Sequence, residues 1–154
     1  MFFRRKSSLE AFLTEENRER LREAIEAAEK ETSGEIRVHV ESRVPKGKTP
    51  LERSVDLFEE LGMRETRRRN GILIYVALDD HKFAIFGDAG IDEKVGPGFW
   101  EHEKDEMENF FRRGDMVGGI EFFIGEIGTK LAEFFPWEEK GDENELSDEI
   151  SVGE

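Results

Sequence analysis

The 154-residue chain has no cysteine, only three histidines (His39, His81 and His102), four prolines and no apolar run near the length of a membrane span, which is about 18 residues. Without cysteine there is no disulfide framework, thiol nucleophile or Cys-ligated metal centre, and three scattered histidines make a poor basis for a His-rich one. The opening residues, MFFRRKSSLEAF, contain no apolar stretch of signal-peptide length, so the expectation is a cytoplasmic protein that does not enter a membrane. Basic residues are also in deficit. Lys and Arg number 23 against 37 Asp and Glu, giving a net charge of −14, a field that repels nucleic acid except at small basic islands. What the chain does have is 13 phenylalanines and two tryptophans, enough apolar area for a single core, and its length argues for one domain, expected as a monomer.

Charge divides the chain. Residues 138–154 carry eight acids and one lysine, half of the net charge, and bury too little apolar area to offset chain entropy. They read as a disordered acidic tail after an α/β domain at 12–137, with 1–11 as an N-terminal extension. Thr14 caps a helix over 15–32, with Leu21, Ala24, Ile25 and Ala28 on one stripe. From Glu35 to Glu41 the period becomes two, with Ile36, Val38 and Val40 on one face of a first strand. The other face carries Glu35, Arg37, an exposed His39 and Glu41. Leu51, Val55, Phe58 and Leu61 mark a second helix. The run Ile72–Leu78 predicts a central strand parallel to the first, and Asp79-Asp80-His81 turns it into an antiparallel third strand, Lys82–Phe86. Helices follow from about Pro97 to Arg113 and through Ile120, Phe123, Ile124, Ile127, Leu131 and Phe134. The fold class is therefore α/β: a small mixed sheet of two parallel strands plus an antiparallel hairpin strand, sandwiched by helices on both faces.

That topology brings the starts of the two parallel strands and the end of the third to one edge. Ser33-Gly34-Glu35, Asn70-Gly71 and Gly87-Asp88-Ala89-Gly90 all lie there, with Asp92 and Glu93 just beyond. Glu35, Asp88, Asp92 and Glu93 form a candidate oxygen cluster for a hard cation, calcium or magnesium, supported by Asn70, Gly71, Gly87, Gly90 and Arg69. The plainer alternative makes the glycines ordinary turns and the acids solvated caps. Arg64, Arg67, Arg68 and Arg69 are candidates for capturing a phosphate-bearing ligand, or merely balance the acids. No phosphate loop, dinucleotide fingerprint or nucleophile elbow is present. Asp79-Asp80-His81 reads as a hairpin turn, and His39 gives no basis for a catalytic triad.

The segments Ser33-Gly34-Glu35-Ile36-Arg37-Val38, Arg69-Asn70-Gly71-Ile72-Leu73-Ile74 and Ile85-Phe86-Gly87-Asp88-Ala89-Gly90-Ile91, followed by Phe99-Trp100, resemble the TPM domain family over residues 12–135. The resemblance implies a compact α/β sandwich. It also implies one of two activities: relatives of thylakoid lumen proteins are described as acid phosphatases with a part in photosystem repair, and other members look like divalent-cation binders. The family's acidic and glycine positions correspond here to Glu35, Asn70, Gly71, Gly87, Asp88 and Gly90, while Asp92 and Glu93 are added by proximity. Three readings follow: a cation-binding module, a phosphomonoester hydrolase using the same carboxylates, and a protein-interaction or repair-associated domain whose acidic tail recruits basic partners.

Overall fold

Every helix but the one that starts after Trp100, which has no side-chain cap, begins where a short polar side chain accepts an otherwise unsatisfied backbone amide. Ser7 accepts from the Glu10 amide at 3.1 Å and opens α1 (Ser8–Phe12); Thr14 accepts from Asn17 at 3.1 Å and opens α2 (Glu15–Glu29). Thr49 and Glu52 form a reciprocal capping box at the head of α3 (Pro50–Glu60), with proline in the first turn. Asp88 caps α4 (Ala89–Lys94), α5 is Glu101–Arg112, and Asp115 caps α6 (Met116–Leu131) through the Gly118 amide. In this computed structural model residues 7–96, 98–137 and 146–153 are described. No helix among them is long and apolar enough to cross a membrane.

The strands β1 (Glu35–Glu41), β2 (Gly71–Ala77), β3 (Lys82–Gly87) and β4 (Ser151–Val152) form one sheet in the order β3-β2-β1-β4. β1 runs parallel to β2, with Glu35 opposite Gly71 and Glu41 opposite Ala77; β2 and β3 are an antiparallel hairpin. The expected α/β sandwich is thus the observed one. Ile36, Val38, Val40, Ile72, Ile74 and Val76 face α2, α5 and α6 in the larger core, where Leu21, Ile25, Met107, Phe123 and Ile127 are buried. On the other face Leu73, Tyr75 and Ala77 meet Leu57 and Phe58 of α3 and Met63.

Three local expectations are corrected. The helix predicted over 15–32 ends at Glu29 and the N-terminal extension contains α1, whose Phe12 enters the core. α4 follows β3 directly, with Asp88 as its N-cap. Part of the segment expected to be disordered, 146–153, packs on the domain: Ile150 joins the larger core, Leu146 the smaller, and β4 pairs parallel with β1 through His39–Ser151 and Val40–Val152. The rest of that tail expectation, 138–145 and 154, falls outside the described residues. Finally, β4 and α3 enclose the polar face of β1, so His39 is only 3% exposed rather than solvated.

Candidate functional site

The backbone places the three glycine-bearing segments together as the topology requires. Glu35 pairs with Gly71, Gly87 pairs with Ile72, and the Asp88 amide donates to the Gly71 carbonyl at 2.9 Å. The Gly90 amide donates to the Arg69 carbonyl at 2.8 Å, and a Cβ at Gly90 would lie 2.1 Å from the Arg68 carbonyl oxygen, so no side chain fits there. Arg69 itself adopts a left-handed conformation (φ 51°), a cost of about 1 kcal/mol for a non-glycine residue. The loop is held in that shape by its contacts.

The side chains then go separate ways. Asp88, fully buried, accepts from Arg64 Nη1 at 3.1 Å, from Arg69 Nε and Nη2 at 3.0 and 3.3 Å, and from the Ala89 amide at 2.7 Å. Its charge and lone pairs are consumed by two guanidinium groups and a helix terminus, so it anchors the loop instead of offering a vacant ligand. Of the four predicted arginines, Arg64 and Arg69 therefore balance an acid, as the plainer alternative holds for them. Asp92 and Glu93 are exposed on α4. The four predicted ligands do not converge: among the described residues no group of three or more His, Asp or Glu is placed to hold a metal ion.

Glu35, 4% exposed, lies instead beside Glu29 at the end of α2. Glu29 accepts from the Ile36 amide at 3.0 Å, yet its carboxyl is pushed up to about 11, first by burial and then by a hydrogen bond with Asp148 and the nearness of Glu35. At neutral pH a proton sits among these acids, since no cation pairs with Glu29 among the described residues. Asn70, 1% exposed, completes the edge: its main-chain oxygen accepts from the Glu35 amide at 3.1 Å and its Nδ2 reaches Ser33 Oγ at 3.4 Å. Its buried Oδ1 has no donor among the described residues. Arg68 Nη1 also contacts Ser33 Oγ at 3.4 Å. Sequence reasoning found Glu35 and Asn70 here but missed Glu29 and Asp148, because one sits at a helix end and the other in the supposed tail.

The opposite end of the sheet is more ordered than predicted. Asp79-Asp80-His81 is the expected hairpin turn, with Asp80 Oδ2 accepting from the Val44 amide at 2.7 Å. Behind it, Glu41 is 2% exposed and accepts from Arg53 Nε and Nη2 at 3.1 and 3.0 Å, from Tyr75 Oη at 2.5 Å, and from His39 Nε2 at 3.0 Å. Burial alone would raise the Glu41 carboxyl, but the Arg53, Tyr75 and His39 hydrogen bonds outweigh it and hold it below its ordinary value. Burial lowers His39, against the pull of Glu41, and raises the Tyr75 hydroxyl. A cavity of about 820 Å³ lies elsewhere, between the outer edge of β3 and α5, lined by Leu51, Phe83, Ile85 and Phe111 among others and by none of the predicted ligands.

The family model described as TPM domain matches residues 7–130. Among solved structures, the chain is similar to the BA42 protein from the psychrophilic bacterium Bizionia argentinensis, determined by NMR: 40% identical, TM-score 0.87, covering 96% of this chain and all of that one. No curated protein matches the chain.

Proposed function

The chain belongs to the TPM domain family, and from that premise we propose that it is a binding module for a hard divalent cation, calcium or magnesium, at the edge where β1 and β2 begin. The observation that carries this is the Asn70 side-chain oxygen, buried without a donor next to the backbone of Glu35. Leaving such an oxygen unsatisfied costs about 1–3 kcal/mol, which a cation would relieve. Glu35 supplies charge, Asn70 Oδ1 a neutral oxygen, and Glu29 and Asp148 add negative potential that is now offset by a proton. Calcium suits this set better than magnesium because it tolerates irregular oxygen geometry. Asp88 holds the loop, and Asp92 and Glu93 stay in solvent. Calcium should raise the melting temperature of the wild-type chain and lose that effect in Glu35→Gln. An undiminished shift in that variant would contradict the assignment.

A second reading has one observation in its favour: Arg68 and Asn70 both point donors at Ser33 Oγ over long contacts of 3.4 Å, which the oxygen of a phosphomonoester could replace, with the proton on Glu29 available to the leaving group. A phosphomonoester assay from acid to neutral pH decides, since turnover lost in Arg68→Ala supports hydrolysis and turnover equal in both chains indicates contamination.

A further inference from the structure

At the far end of β1 three side chains form a continuous hydrogen-bonded chain. Ser151 Oγ lies 2.8 Å from His39 Nδ1, and His39 Nε2 lies 3.0 Å from Glu41 Oε1. The proton positions follow from the partners. Glu41 is ionised, fixed by the Arg53 fork, and can only accept, so Nε2 carries the imidazole hydrogen. Burial keeps His39 neutral, so Nδ1 presents a lone pair and the Ser151 hydroxyl donates to it. The imidazole cannot swing away, because it stacks on Tyr75 with centroids 6.0 Å apart and planes 12° from parallel.

We propose that Ser151, His39 and Glu41 form a nucleophilic relay that hydrolyses small carboxylic esters at the open edge of β4. Nucleophile, base and orienting carboxylate are recognised by geometry and roles rather than by chain order. Ser151 is half-buried on an edge strand, within reach of solvent. The Gly153 amide donates inward to the Val40 carbonyl at 2.9 Å. Amide direction alternates along a strand, so the N–H of Val152, the residue after the nucleophile, points outward, where it can receive a developing oxyanion. In the first step Oγ bonds to the ester carbon and its proton passes to His39 Nδ1. The carbon–oxygen bond to the alcohol breaks, and the alcohol leaves with that proton. Water then attacks the Ser151 ester, giving one proton to His39; the acid departs, and the proton returns to Oγ. Glu41 is a positioning residue, with Arg53 and Tyr75 fixing it in turn.

The test treats the full chain with a fluorophosphonate probe and with p-nitrophenyl acetate. Expected results are a probe adduct mapped to Ser151, a burst of p-nitrophenol lost in Ser151→Ala, and labelling about 100-fold slower in His39→Gln. The exposed-histidine control His102→Gln should label like wild type. A folded wild-type chain left unlabelled at Ser151 overturns the proposal, as does equal labelling with and without His39. Should His39→Gln fail to fold, Ser151→Cys replaces it, because the chain has no other thiol. Its alkylation by iodoacetamide should report a thiol pKa well below the ordinary value of about 8.5, and an ordinary value would overturn the relay.

Discussion

Glu35 and Glu41 begin and end the same strand, face the same side of the sheet and are almost equally buried, at 4% and 2% exposure. Their surroundings are opposite. Glu41 meets Arg53, Tyr75 and His39, so its charge is matched in place. Glu35 lies beside Glu29, whose carboxyl burial, a hydrogen bond with Asp148 and the nearness of Glu35 push up to about 11. One strand thus carries a carboxylate enclosed by an arginine, a tyrosine and a histidine and another set beside a further buried acid. Burial by itself does not separate structure from binding; the neighbours contributed by other elements do.

The contrast is most easily broken at Glu41. Glu41→Ala leaves a largely buried arginine without its counter-charge and should cost about 3 kcal/mol, read as a lower urea midpoint with unchanged slope. A cation at the Glu35 end should act in the other direction. At a free calcium concentration about 100 times the dissociation constant, stability should rise by about 2.7 kcal/mol. That gain should increase with pH, because the metal displaces the Glu29 proton.

Glu29→Gln sharpens the comparison further. The folded Glu29 carboxyl is raised from 4.5 to about 11, so the stability it contributes is complete below about pH 4.5 and is lost as pH rises toward 11. The variant should remove that decline, at most about 1.4 kcal/mol per pH unit, and be as stable as wild type or more so at neutral pH in urea titrations. Glu41 is lowered instead, so its contribution is present above its ordinary value and falls away on acidification. The two glutamates therefore tilt the pH–stability curve in opposite senses. Smallest of all, the double change Asp92→Asn with Glu93→Gln should leave the calcium-dependent melting shift intact, since both residues lie exposed on α4.

Much of the fold was legible because periodicity reports burial directly. Ile36, Val38 and Val40 alternate, Ile72–Ala77 is apolar throughout, and the α6 stripe is unbroken, so β1, β2, the hairpin and the last helix follow from the sequence. The meeting of the Glu35, Asn70 and Asp88 backbones was legible from topology. Partners were not. Nothing local shows that Asp88 meets Arg64 from 24 residues away or that Ser151 docks on His39 from 112 residues away. The acidic composition of 138–154 also hides two apolar anchors, Leu146 and Ile150, which are enough to seat a two-residue strand. Polarity along β1 suggested exposure, whereas the segment that covers it comes from the far end of the chain.

Calcium titration of the full chain followed by amide NMR tests the central claim most directly. Saturable shifts should centre on Glu35, Asn70 and Gly71 and spread to Glu29 and Asp148, with residues 39–41 unmoved. Shifts confined to 88–93, or none at millimolar calcium, would contradict it.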